Sequence, residues 1–215
     1  MPEFRRTRVK LCGMTRAEDA LAASALGVDA IGLIFAARSK RRLTPEAAAA
    51  IRAVLPPMVD AVALFMDNTV DEVRATIEIV RPSLLQFHGE EDDGFCASFG
   101  LAYMKAVAMG GEGCEDAATL PIRYPRAAAF LFDGHARGEA GGRGLTFDWA
   151  RVPERFPKPF LVAGGLNPDN VFEAIRATGC WGVDASSGIE SAPGLKNHEC
   201  MRRFVAEVRR ADGIL

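Results

Sequence analysis

Cys12 and Asp133 are the two side chains of this sequence best placed to move protons, because each ends a short apolar run. A lone cysteine in such a run is usually a small core residue. Lys10 lies two residues before Cys12, on the same face of an extended chain, and is expected to favour its thiolate and let it act as a base. Asp133 follows Ala129-Phe130-Leu131-Phe132, surroundings expected to raise its pKa and leave a proton for donation. A helix-capping role is the structural alternative for Asp133.

Polar residues that end other apolar runs extend this set. Gln86 and His88 share one face and Asp184 and Ser186 another. Gln86, His88 and Asp184 are expected to bind substrate. His88 could equally serve as an acid or base, or hold a neighbour, and Asp184 could hold loop backbone. Gly164-Gly165 and Ser186-Ser187-Gly188 are small-residue turns after two successive runs, where backbone N–H groups can approach an anion such as phosphate. The cationic run Arg38-Ser39-Lys40-Arg41-Arg42 contains an arginine suited to a bidentate pair with a substrate carboxylate, although spacing does not say which one. No His/Cys/Asp/Glu set has metal-ligand spacing, so neither a metal nor another cofactor is expected. The glycine-rich Gly138–Gly144 stretch departs from a dinucleotide fingerprint and reads as a lid, and Gly110–Gly113 is a second loop that could move.

These residues need elements to carry them. Eight β-rich segments are expected at Val9–Cys12, Ala30–Phe35, Ala61–Met66, Leu84–His88, Tyr103–Val107, Ala128–Asp133, Phe160–Ala163 and Gly182–Ser186. Helices are expected between them, at Arg16–Leu26 behind a Thr15 cap, Pro45–Leu55, Val70–Val80, Pro168–Thr178 and His198–Arg210, with weaker signals after the fifth and sixth strands. Such alternation predicts an α/β fold with a parallel sheet. Over 215 residues it fits a single (β/α)8 TIM barrel of one domain, 1–215, with an open doubly wound sheet as the alternative. In a barrel, all the polar ends named above fall at one rim.

Bulk properties narrow the function classes. Lys+Arg 26 against Asp+Glu 28 gives a net charge of -2, which argues against nucleic acid as a partner. The charged start MPEFRRTRVK and the lack of a long apolar run argue against a membrane and for a cytoplasmic protein. Five scattered cysteines, with no C-x-x-C pair, read as reduced thiols. A monomer is preferred over a homodimer.

Six motifs, in order, resemble the phosphoribosylanthranilate isomerase family from Val9 to about Val208. They are Val9-Lys10-Leu11-Cys12-Gly13-Met14-Thr15, Asp29-Ala30-Ile31-Gly32, Leu85-Gln86-Phe87-His88-Gly89, Gly144-Leu145-Thr146-Phe147-Asp148-Trp149, Ala163-Gly164-Gly165-Leu166-Asn167-Pro168 and Val183-Asp184-Ala185-Ser186-Ser187-Gly188-Ile189-Glu190. The resemblance implies an Amadori rearrangement of phosphoribosylanthranilate in tryptophan biosynthesis, with Cys12 as general base and Asp133 as general acid. It puts the anthranilate-binding arginine at Arg41 and phosphate on the Gly164-Gly165 and Ser186-Ser187-Gly188 loops. The sequence departs from the family pattern at Ala36-Ala37, Arg42 and Leu145, positions that bear on the anthranilate side rather than on acid or base. Another phosphosugar barrel and a non-catalytic phosphate-ligand sensor are the competing functional readings.

Overall fold

A computed structural model describes residues 6–111, 117–135, 146–153 and 155–213. Eight parallel strands close into a barrel in chain order: β1 (Arg8–Cys12), β2 (Ala30–Ile34), β3 (Asp60–Phe65), β4 (Leu84–Phe87), β5 (Tyr103–Ala108), β6 (Ala129–Asp133), β7 (Phe160–Val162) and β8 (Gly182–Ala185). Each expected strand forms, with ends shifted by a residue or so. The expected doubly wound alternative is excluded by pairing between β1 and β8, which sets Lys10 opposite Asp184 and Leu11 opposite Ala185.

Among the described residues, seven helices accompany the strands: α1 (Ala17–Ala25), α2 (Pro45–Ala53), α3 (Val70–Val80), α4 (Asp93–Ala97), α5 (Leu120–Arg123), α6 (Val171–Thr178) and α7 (His198–Ala211). Thr69 and Glu72 form a reciprocal capping box that fixes the start of α3. Two expectations need correction. Thr15 does not cap α1; its hydroxyl donates instead to the Gly194 carbonyl. Pro168 does not begin α6, because the Asn167 side chain accepts from Asp169 N (2.8 Å) and Asn170 Oδ1 accepts from Asn167 N (2.9 Å), holding those residues in a turn. The weak helical signals after β5 and β6 correspond to the four-residue α5 with a preceding 3-10 turn at Ala117–Thr119, and to a 3-10 turn at Trp149–Arg151.

Strand alternation divides the core in two. Outward residues such as Leu11, Leu33, Phe65, Phe87, Phe130, Phe132 and Val183 form the main cluster against the helices. Inward residues fill the lumen: Met104, Ala106, Leu131, Leu161 and Ala163 in one cluster, Cys12, Ile34, Ala36 and Leu64 in another. Phe35, Phe65 and Phe87 stack in a row with centroids 5.4 and 5.9 Å apart, tying β2, β3 and β4 together on the outer side.

The lumen also contains a buried ion pair, Lys10 Nζ to Asp184 Oδ1 at 2.9 Å, directly across the β1–β8 seam. Lys10→Met would leave Asp184 as an unpaired buried charge, and we expect it to lower stability in urea unfolding by about 3–5 kcal/mol. A loss under about 1 kcal/mol would mean that Asp184 is not ionised there. Gly164, just after β7, has φ 83°. A Cβ on it would lie 2.2 Å from Gly134 N and 2.9 Å from Asp133 Oδ1. Gly164→Ala is therefore expected to cost about 1–3 kcal/mol or more, read as a lower Tm; an unchanged Tm would show that the end of β6 can yield.

Candidate active site

Inward residues at the strand C-termini and in the following loops line an open cleft of about 510 Å³, including its mouth. Cys12, Arg41, His88, Asp133, Asp184 and Ser186 border it, with Ile34, Leu64 and Met66 as its apolar wall. Six residues singled out in the sequence, separated by up to 174 positions, thus meet at one rim. Gln86 does not reach the cleft: it is fully buried and its Nε2 lies 3.2 Å from His88 Nδ1. Gly164, Gly165, Ser187 and Gly188 belong to the loops that follow β7 and β8 beside this rim. The Gly164 and Gly165 amides donate to no other described residue, and the Ser186 hydroxyl is buried without a partner. The Gly138–Gly144 stretch and Cys114 lie outside the described residues, as does part of Gly110–Gly113.

Cys12 is packed closely. A Cβ at position 32 on neighbouring β2 would come within 2.5 Å of its Sγ, so Gly32 provides the space for the thiol. Burial pushes the Cys12 thiol up, although Lys10 and Lys196 pull the other way. Lys10 does favour the Cys12 thiolate, but desolvation outweighs that cation, whose charge is engaged by Asp184. Burial also opposes charge on Lys10, but Asp184 and Cys12 outweigh it and raise its pKa. Asp184 is raised by burial, against the pull of Lys10.

Asp133 departs from expectation in the opposite direction. Burial does oppose its ionisation, yet the close His135 ring and the hydrogen bond to His88 prevail and hold the carboxyl well below the usual carboxylate range. His88 Nε2 is 3.2 Å from Asp133 Oδ2, and His135 Nδ1 is 3.4 Å from the same oxygen. An apolar strand end predicted a protonated acid; two imidazoles supplied by tertiary structure reverse that. Burial lowers the His88 pKa, with Asp133 acting against it.

His88, Asp133 and His135 also correct the reading that no His/Asp/Glu set has ligand spacing, since their donor atoms lie within 4.8 Å of one another. The set is not visible in sequence because β4 and β6 contribute its members separately. The two nitrogens sit at hydrogen-bonding separation from one carboxylate oxygen, which already accounts for their convergence.

Among the cationic run, the structure selects one arginine. Arg41 is buried while Arg38 and Arg42 are exposed. Arg41 Nε and Nη2 bind Glu190 at 2.8 and 2.6 Å, and Lys196 Nζ binds the same carboxylate at 2.7 Å. Lys196 also donates to the carbonyls of Cys12 (2.6 Å) and Ser186 (3.2 Å), joining the ends of β1 and β8. With two of its five N–H groups engaged by Glu190, the Arg41 fork keeps others for a second acceptor. Sequence reasoning assigned no role to Glu190, Lys196 or His135. Glu190 ended a quoted motif, but the short antiparallel pair β9 (Glu190–Ala192) and β10 (Leu195–Lys196), which brings Lys196 to it, left no spacing signal.

The arrangement couples a thiol, a carboxylate with two imidazoles, and a partly committed arginine around one cleft, beside loops suited to an anion. That is equipment for acid–base chemistry on an anionic substrate. Comparison with known proteins agrees. A family model described as N-(5'phosphoribosyl)anthranilate (PRA) isomerase matches residues 9–207. The N-(5'-phosphoribosyl)anthranilate isomerase of Stenotrophomonas maltophilia (strain R551-3) is 59% identical over 209 residues, 97% of this chain and 96% of that protein. The crystal structure of phosphoribosyl anthranilate isomerase from Thermus thermophilus superposes with a TM-score of 0.84 at 36% identity, covering 95% of this chain and 99% of that one. A phosphoribosyl anthranilate isomerase in complex with reduced 1-(o-carboxyphenylamino)-1-deoxyribulose 5-phosphate superposes with a TM-score of 0.79 at 31% identity, covering 95% and 99%. By motif order, barrel and overall similarity, this chain belongs to the N-(5'-phosphoribosyl)anthranilate isomerase family.

Proposed function

We propose that the chain carries out the isomerisation of N-(5'-phosphoribosyl)anthranilate to 1-(2-carboxyphenylamino)-1-deoxyribulose 5-phosphate with Cys12 as general base and Asp133 as general acid. The observation that carries these assignments is that a thiol and a carboxylate from β1 and β6 border the same cleft, with Arg41 on its rim. Asp133 protonates the ribose ring oxygen, and the ring opens to a Schiff base. The Cys12 thiolate then removes the C2' proton, and the resulting enolamine loses its C2' hydroxyl proton and gains one at C1' to give the ketose. Arg41 binds the anthranilate carboxylate through the N–H groups that Glu190 leaves free, and Asp184 holds a substrate hydroxyl. The loops Gly164-Gly165 and Ser186-Ser187-Gly188 bind the phosphate, a reading supported by the unengaged Gly164 and Gly165 amides and the partnerless Ser186 hydroxyl. Anchoring both anionic ends fixes the sugar between acid and base.

A monomer remains the working unit of this proposal, preferred over a homodimer. Cys12, Cys96 and Cys200 are free thiols, in keeping with a reducing compartment such as the cytoplasm. No helix among the described residues is long and apolar enough to cross a membrane.

Loss of anthranilate-type fluorescence, with the substrate generated in situ from anthranilate and phosphoribosyl pyrophosphate, tests the proposal. Cys12→Ala and Asp133→Asn are each expected to lower turnover by about 10²-fold or more while remaining folded, and a chelator should leave the wild type unaffected. Near-normal turnover in either variant removes that residue's role, and chelator-sensitive activity restored by Zn2+ would turn His88, Asp133 and His135 into metal ligands.

The pH profile provides a second check. Because burial raises the Cys12 pKa, the thiolate fraction grows as pH climbs above neutrality, so kcat/KM is expected to rise on that side until other groups titrate. A profile that only falls from neutral to alkaline pH would be incompatible with a Cys12 thiolate base.

A further inference from the structure

An ionised Asp133 has no proton to give, so a general acid at this position needs a neighbour that supplies one. Its oxygen Oδ2 faces two candidates, His88 and His135, whose rings meet edge to face with centroids 4.8 Å apart. They are not equivalent. His88 Nδ1 faces the Gln86 amide nitrogen at 3.2 Å, an N–H donor, so that ring nitrogen accepts and Nε2 carries the hydrogen donated to Asp133. With both nitrogens committed, His88 is a fixed neutral donor that aims the carboxylate.

His135 is differently placed. It is buried, and its Nδ1 lies 3.4 Å from Asp133 Oδ2 yet too far out of line to complete a hydrogen bond. Its backbone is anchored, since Gly110 N donates to its carbonyl at 3.0 Å and Met109 N donates to the Asp133 carbonyl at 2.8 Å. Its Nδ1 is thus held near Asp133 Oδ2 by a fixed backbone. His135 is not among the residues bordering the cleft, so it acts through Asp133 and not on substrate.

We propose that His135 is the residue that loads Asp133 with the proton it delivers. The inference rests on Asp133 being the general acid. Protonated His135 passes its Nδ1 proton to Asp133 Oδ2, and Asp133 passes a proton to the ribose ring oxygen as the C1'–O bond breaks. When the enolamine becomes the ketose, Asp133 takes its C2' hydroxyl proton and returns it to His135, and Cys12, which took the C2' proton, gives one to C1'. Every enzyme group thus ends as it began. Gln86, fully buried beneath His88, is by the same geometry a positioning residue for that ring and not a substrate ligand.

Two substitutions separate proton supply from simple positioning. His135→Asn keeps an N–H donor near the place of Nδ1 but cannot release a proton, whereas His135→Ala removes both functions. Both are expected to lower kcat at least about tenfold with KM nearly unchanged, and added imidazole should restore turnover in His135→Ala. Wild-type kcat in His135→Asn would reduce His135 to a positioning group and overturn the proposal, as would a loss in both variants that imidazole does not relieve. Circular dichroism and Tm establish folding; if His135→Ala does not fold, the asparagine variant decides alone. Asp133→Asn measured in parallel distinguishes the failures. An active Asp133→Asn overturns the acid assignment itself, while an inactive one beside a fully active His135→Asn overturns only the role of His135.

Discussion

Closing eight parallel strands on themselves points every second side chain into a narrow lumen, and the rest of the molecule follows from what that lumen can accept. Low on the barrel the inward positions are apolar, as with Met104, Leu131 and Leu161. Toward the C-terminal ends they become polar, and charge held there away from water must be paired. The seam between β1 and β8 meets that condition directly, since its register sets Lys10 beside Asp184 and the two bond at 2.9 Å. The same strand then presents Cys12 two residues further on.

The site above the lumen is built from three such arrangements. Lys10 with Asp184 holds a cation beside the thiol, Lys196 with Glu190 and Arg41 braces the rim, and His88 with His135 stabilises Asp133. Each places a polar group where water would otherwise have to solvate it, so the dipoles are oriented before substrate arrives. Their effects differ in sign. Partners overcome burial at Asp133 and keep it ionised, whereas at Cys12 burial overcomes nearby cations and keeps the thiol protonated. These directions leave the Cys12 thiol protonated and Asp133 ionised in the free protein, the reverse of what the proposed base and acid need at the start. Negative charge brought into the cleft would favour a proton on Asp133 and oppose loss of the Cys12 proton, which therefore depends on Lys10 and Lys196.

Much of this was legible in the chain. Apolar runs of strand length alternating with capped helical segments announced the barrel, and the period of two along each strand put Lys10 with Cys12 and Asp184 with Ser186 on common faces. Small errors came where a side chain had a distant competitor for its local role. Thr15 has the chemistry of a helix cap, but the Gly194 carbonyl, 179 residues away, takes its hydroxyl. Pro168 is a good first helical residue, but the asparagines on either side close a turn around it first.

By itself the sequence determined the repeating element pattern, the order of motifs and the residue types at each strand end, because these depend on local periodicity and on contacts within a few residues. It did not determine protonation, or which member of a charged run turns inward. Arg41 was chosen over Arg38 and Arg42 by Glu190, and Asp133 was made a carboxylate by His88 and His135. Only closure of the barrel brings such partners together. A pKa depends on the nearest charges and hydrogen bonds in space, and for these groups nearly all of those arrive from other strands and loops.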